Sequence, residues 1–120
     1  MPAQILPVAL GAVFGALTRW LLGLALAHTA APFAISILAA NWAGAFAVGL
    51  CAELVHNPQW RLLLITGFLG SLTTLSAFSL ETVALMQAQR WGAALVSVLL
   101  HVFGSFALTA LGMWTAQFFK

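Results

Sequence analysis

His101, Ser105 and Thr109 recur every four residues, so they share one face of any helix that carries them. Asn41, Ser76 and Ser79 are three more neutral hydrogen-bond donors set in apolar sequence, with Phe78 between the two serines. Neither of the chain's two carboxylates, Glu53 and Glu81, belongs to this row. Donors without carboxylates suit an anion, because each can replace one water of its shell, and the edges of aromatic rings carry partial positive charge. Any one of these residues alone would read as a packed side chain with a backbone bond. Three in step along one otherwise apolar helix read as the lining of a pathway.

The same residues do not make a catalytic set. The His-Ser-Thr stripe lacks an acidic orienter and runs along a face instead of converging, and no carboxylate pair, phosphate-binding glycine loop or metal-ligand spacing accompanies it. The chain therefore reads as something other than an enzyme. Four basic and two acidic residues give a net charge of +2 with no basic run, which excludes a nucleic-acid surface. Cys51 is the single cysteine, so neither an intrachain disulfide nor a cysteine metal pair can form, and it reads as a small packed residue.

The elements that must position these donors follow from composition. With 120 residues, 63% hydrophobic and 5% charged, the sequence reads as a single-domain, all-α integral membrane protein (1–120). A hydrocarbon core of roughly 30 Å needs about 20 residues per helix, and the apolar runs place four transmembrane helices at about 4–27, 33–55, 60–89 and 93–119. The N-terminus lacks the basic segment of a secretory signal and reads as part of a retained first helix. Gly11, Ala12, Gly15 and Ala16 line one face of that helix and allow close approach of another. Arg19, further along, reads either as a boundary anchor or as an anion-attracting vestibule residue. Asn41, near the middle of the second helix, is either an interhelical hydrogen bond that holds the bundle together or a pore-lining donor. Glu53, His56, Asn57, Gln59 and Arg61, with Trp60 at interfacial depth, form a solvated rim.

The third helix is the irregular one. Unbroken, residues 60–89 would make a helix of roughly 45 Å, longer than the bilayer core. Gly67, Gly70, Ser71, Thr73 and Thr74 fall in its middle, where glycine weakens the helix and hydroxyls compete for the backbone. The sequence therefore predicts two half-helices meeting near Gly70 to Leu75. Their ends would expose carbonyls that can hold a cation and amides that can receive an anion.

Four spans put both termini and Arg61 on one side and Arg90 on the other, with almost no excess of basic residues to fix orientation. The chain is expected to insert both ways up and to pair with its inverted copy. Four thin helices enclose little, and an antiparallel dual-topology homodimer would bring the two broken segments together at its centre. A small, strongly hydrated anion such as fluoride or hydroxide would gain most from such a donor-lined route.

Four stretches carry a specific resemblance: Gly11-Ala-Val-Phe-Gly-Ala-Leu-Thr-Arg-Trp20, the asparagine Asn41, Gly67-Phe-Leu-Gly-Ser-Leu-Thr-Thr-Leu-Ser-Ala-Phe-Ser-Leu-Glu81, and Val98-Leu-Leu-His-Val-Phe-Gly-Ser-Phe-Ala-Leu-Thr-Ala-Leu-Gly112. Together they resemble the CrcB/Fluc family of small fluoride channels over nearly the whole chain. The resemblance implies passive fluoride export across the plasma (inner) membrane by an antiparallel homodimer with two pores and a central structural sodium ion. It implies pore roles for Asn41, for Phe78 reaching in from the partner subunit, and for the track His101, Ser105 and Thr109. Backbone carbonyls of Gly70 and Thr73, two from each chain, would hold the sodium, as suits a hard cation. Two departures stand out: the family's first box phenylalanine is Leu75, and its Gly-Thr-Leu before the helix-two asparagine is Ser36-Ile37-Leu38. Conduction is expected to survive both.

Two other readings remain open. A small multidrug exporter would need an acidic residue in the first helix, and none lies between Gln4 and Ala27. A non-conducting partner subunit of a heterodimer would account for Leu75 and Ile37. A reporter fused to the C-terminus should be found on both sides of the membrane; one uniform orientation would defeat the antiparallel homodimer.

Overall fold

The computed structural model describes residues 2–120. It contains four helical spans long and apolar enough to cross a membrane: Pro2–Ala25, Ile35–Leu54, Pro58–Gln87 and Trp91–Phe119. These bounds lie within a turn of those expected from the apolar runs. The protein is a multi-pass integral membrane protein, and its extents of 47 × 32 × 24 Å suit a bundle that crosses a hydrocarbon core of about 30 Å.

Local chemistry fixes where the spans begin and end. Pro58 opens the third span because Asn57 caps it, its Oδ1 accepting from the backbone N–H of Gln59 at 2.9 Å and of Trp60 at 3.2 Å. At the turn into the fourth span Gln89 takes φ 60°, and the N–H groups of Gln89 and Arg90 return to the carbonyls of Met86 and Leu85. That is the reversal that usually calls for glycine after a helix. On the opposite rim Lys120 pairs with Glu53, and Arg61 donates to the Val55 carbonyl at 2.7 Å.

The third span is broken at Thr73 and Thr74, whose backbones are extended (φ −83°, ψ 153° and φ −148°, ψ 114°). A first half-helix, residues 58–72, ends there, and a second runs over Leu75–Gln87. The glycines stay helical, and the hydroxyl residues make the break. Thr73 Oγ1 donates back to the Leu69 carbonyl at 2.9 Å, closing one half-helix, while Thr74 Oγ1 accepts from Ala77 N–H at 3.1 Å, opening the next. Two stretches are wound as π-helix, Leu62–Leu69 and Leu100–Gly104.

Glycine serves packing instead. A Cβ on Gly11 or Gly15 would strike the backbone of Leu63 or Phe68, and one on Gly67 would meet the Val8 carbonyl oxygen. The small-residue face of the first span thus holds the first half-helix of the third at backbone contact. The second and fourth spans make the same kind of contact, Gly49 against the Thr109 carbonyl and Gly112 against that of Phe46. Large side chains such as Leu10, Phe14, Phe103 and Trp114 face outward, as befits a surface wetted by lipid.

Gly49→Val should force the second and fourth spans apart and cost about 1–3 kcal/mol, the usual range for overpacking. Gly23→Val, where nothing lies within 4 Å of the added Cβ, should not. Thermal unfolding of the two variants in detergent measures the difference.

Candidate functional site

An open cleft of about 470 Å³ runs beside the break, bounded by the second span, both halves of the third and the middle of the fourth. It unites eight of the residues singled out from the sequence: Asn41, Gly70, Thr73, Thr74, Leu75, Phe78, His101 and Ser105. None of its lining residues carries a fixed charge. Leu75 stands at the break, 77% exposed.

Asn41 organises this cleft. Its Oδ1 accepts from Thr74 N–H at 2.7 Å, and its Nδ2 donates to the Thr74 carbonyl at 3.2 Å, so one side chain satisfies both backbone groups that the break exposes. The second hydrogen of Nδ2 faces His101 Nδ1 at 3.1 Å. Asn41 thus makes the interhelical bridge expected as one of its two readings, and it stands in the cleft lining as well.

The same bonds release two carbonyls. In an unbroken helix Thr74 N–H would bond to Gly70 and Ala77 N–H to Thr73; here the first goes to Asn41 and the second to Thr74 Oγ1. The oxygens of Gly70 and Thr73 are thereby left without those helical partners. Such donors fit a hard monovalent cation.

His101 lies within the π-helical stretch of the fourth span and is 5% exposed. Its ring stacks on Phe78 of the same chain, centroids 4.3 Å apart and planes 27° from parallel. Its Nε2 is buried and has no hydrogen-bond partner among the described residues. Trp42, next to Asn41, supports the turn from the other side: its Nε1 donates to the Leu100 carbonyl at 2.9 Å, and its ring occupies the space that a Cβ on Gly104 would need. Sequence reasoning missed Trp42. Its signal was an indole N–H in an apolar helix, which must find an acceptor once buried.

The remaining singled-out residues lie outside the cleft lining. Thr109 Oγ1 donates to the Ala45 carbonyl at 2.9 Å, tying the second span to the fourth. Ser76 is exposed and shares a 3.3 Å hydroxyl contact with Thr74, and Ser79 is exposed as well. Arg19 donates from Nε to the Ser71 carbonyl at 3.3 Å, placing a cation at the C-terminal end of the first half-helix, where the helix dipole favours one. Glu81, also unassigned from the sequence, accepts from Ala34 N–H at 2.7 Å and so caps the second span, whose own N-cap residue is an alanine.

The family described as CrcB-like protein, Camphor Resistance (CrcB), matches residues 6–113. The chain belongs to the CrcB-like family. Among similar proteins, a fluoride-specific ion channel FluC of Neisseria meningitidis serogroup A / serotype 4A is 56% identical, covering 94% of this chain and 94% of the relative. One of the same description from Burkholderia vietnamiensis is 44% identical, over 95% of this chain and 93% of its own. Each of the four stretches that carry the resemblance lies within the matched residues.

In this CrcB-like chain Asn41→Ala should strip the Thr74 N–H and carbonyl of their side-chain partners, and an unmade buried bond costs about 1–3 kcal/mol. Amide hydrogen exchange at Thr74 should accelerate by about tenfold or more, while that of Gly49 stays as it was.

Proposed function

We propose that the protein is a passive fluoride channel and not an enzyme, exporting the ion across the plasma (inner) membrane and lowering its cytoplasmic concentration. The observation that carries this reading is the cleft itself: uncharged, bounded by apolar side chains, and furnished with neutral donors and a phenyl ring. Membership of the CrcB-like family, with relatives described as fluoride-specific ion channels, supports the same reading.

Fluoride is small and holds its water tightly, so entry into an apolar cleft is favourable only when donors replace that water one at a time. His101 and Ser105 stand along the cleft as donors beside Asn41, whose own amide hydrogens are taken by Thr74 and His101, and Phe78 offers its ring edge. A carboxylate among them would repel the ion, and a free ammonium would hold it too tightly to let it go. The cleft is open on one side, and the exposed Leu75 at its rim gives a second copy somewhere to pack. On this reading two antiparallel copies close two pores between them, with Ser76 and Ser79 completing the route, Thr109 on the same helical face holding the second and fourth spans together through Ala45, and Arg19 drawing the anion toward the mouth. A sodium ion at the two-fold centre would be held by the Gly70 and Thr73 carbonyls of both chains, tying the two breaks together. Leu75, which brings no ring edge, favours a second reading as the weaker half of a heterodimer.

Liposomes containing only this chain separate the two. Fluoride efflux should occur, and Phe78→Ile should slow it by about tenfold or more, a barrier increase of about 1.4 kcal/mol. Leu75→Phe should leave efflux unchanged or raise it. Absence of flux at any protein density would exclude the homodimeric channel.

A further inference from the structure

We infer that Asn41 is a positioning residue that fixes His101 as its Nε2–H tautomer, and that this buried N–H is the donor that takes the anion. The inference rests on the channel reading for the identity of the anion, and on geometry for the rest.

The amide of Asn41 cannot turn over. Thr74 N–H can only donate and the Thr74 carbonyl can only accept, and they meet Oδ1 at 2.7 Å and Nδ2 at 3.2 Å respectively. Reversing the amide would set hydrogen against hydrogen and oxygen against oxygen. Nδ2 therefore presents a hydrogen to His101 Nδ1 at 3.1 Å, and Nδ1 must accept it. A neutral imidazole whose Nδ1 accepts carries its proton on Nε2. Protonating Nδ1 as well would put two hydrogens face to face unless Asn41 released the break.

Nε2 is the atom left over. It is buried in a residue 5% exposed and has no partner among the described residues. The ring that bears it is held by Phe78 stacked on its face and by the Asn41 amide, in a π-helical turn that Trp42 meets at the Leu100 carbonyl and at Gly104. An unpaired buried N–H is costly in apolar surroundings, so a partner that accepts from it is favoured. The ligand that suits it is a compact acceptor with no proton of its own and of strong basicity toward hydrogen bonds. Fluoride meets that description better than chloride, whose charge is spread over a larger surface. The tautomer lock thus makes His101 a specificity-determining residue, with Asn41 acting through it.

The test uses full-length protein in lipid bilayers with ¹⁵N-labelled histidine, and His101→Gln assigns the His101 signals against those of His28 and His56. At neutral pH Nε2 should appear protonated and Nδ1 unprotonated. Sodium fluoride should move the Nε2–H resonance, and sodium chloride at the same concentration should not. Asn41→Asp keeps an acceptor for Thr74 N–H but offers Nδ1 none of the amide hydrogens. It should transfer the His101 proton from Nε2 to Nδ1, a change that repulsion of the anion by the new carboxylate would not produce, and so remove the fluoride response of Nε2. A wild-type protein with Nδ1 protonated, or with an Nε2–H indifferent to fluoride, would overturn the inference without need of any variant. A fluoride-sensitive Nε2–H in protein that passes no fluoride would instead overturn the channel reading and leave the lock standing.

Discussion

The paired hydrogen bonds between the Asn41 amide and the backbone of Thr74 are the constraint around which the molecule is arranged. A helix opened inside hydrocarbon must have its freed N–H and C=O groups answered by protein. One short side chain answers both, as a neighbouring strand would. The break can then persist, the second half-helix can start at Leu75 under its Thr74 cap, and Phe78, one turn further, comes to lie against His101.

That arrangement needs backbones at close range. An asparagine side chain is short, and it spans from the second helix to the break only because Gly44, one turn along, leaves room for the Thr73 methyl. On the other side, contact of Gly49 with the Thr109 carbonyl and of Gly112 with that of Phe46 draws the fourth span in far enough for His101 to meet the same amide. Interhelical hydrogen bonds in membranes are individually modest, about 0.6–2 kcal/mol. Their value here lies in direction: each constrains which way the next group points, from Thr74 to Asn41 to His101. Arg19 and Glu81 act similarly at two helix ends, one at the Ser71 carbonyl of a half-helix and one at the N–H of Ala34, the N-cap of the second span.

Much of this was legible in the sequence, for identifiable reasons. Apolar run lengths located the spans because bilayer thickness sets them, and the hydroxyl-rich centre of the third span announced a break because Ser and Thr compete with the helical ladder. The close-packing role of Gly11 and Gly15 followed from their spacing alone. What stayed hidden depended on partners distant in sequence. Nothing local says that Thr109 spends its proton on Ala45, that Trp42 reaches Leu100, or that Arg19 finds the Ser71 carbonyl. The π-helical turns were equally invisible. The one holding His101 is matched by the fit of Trp42 over Gly104, which periodicity within a single helix does not encode.

The glycine contacts also bear on how the chain is made. The first span finds its close partner in the third and the second finds its own in the fourth, so neighbours in synthesis are not the tightest neighbours in the bundle. When three spans have left the ribosome, the flank of the second that carries Gly49 still faces lipid. Asn41 can by then reach the Thr74 backbone, but His101 has not arrived. The last helix to enter the membrane is therefore the one that completes the site, and a chain truncated before it would carry the break without the histidine beside it.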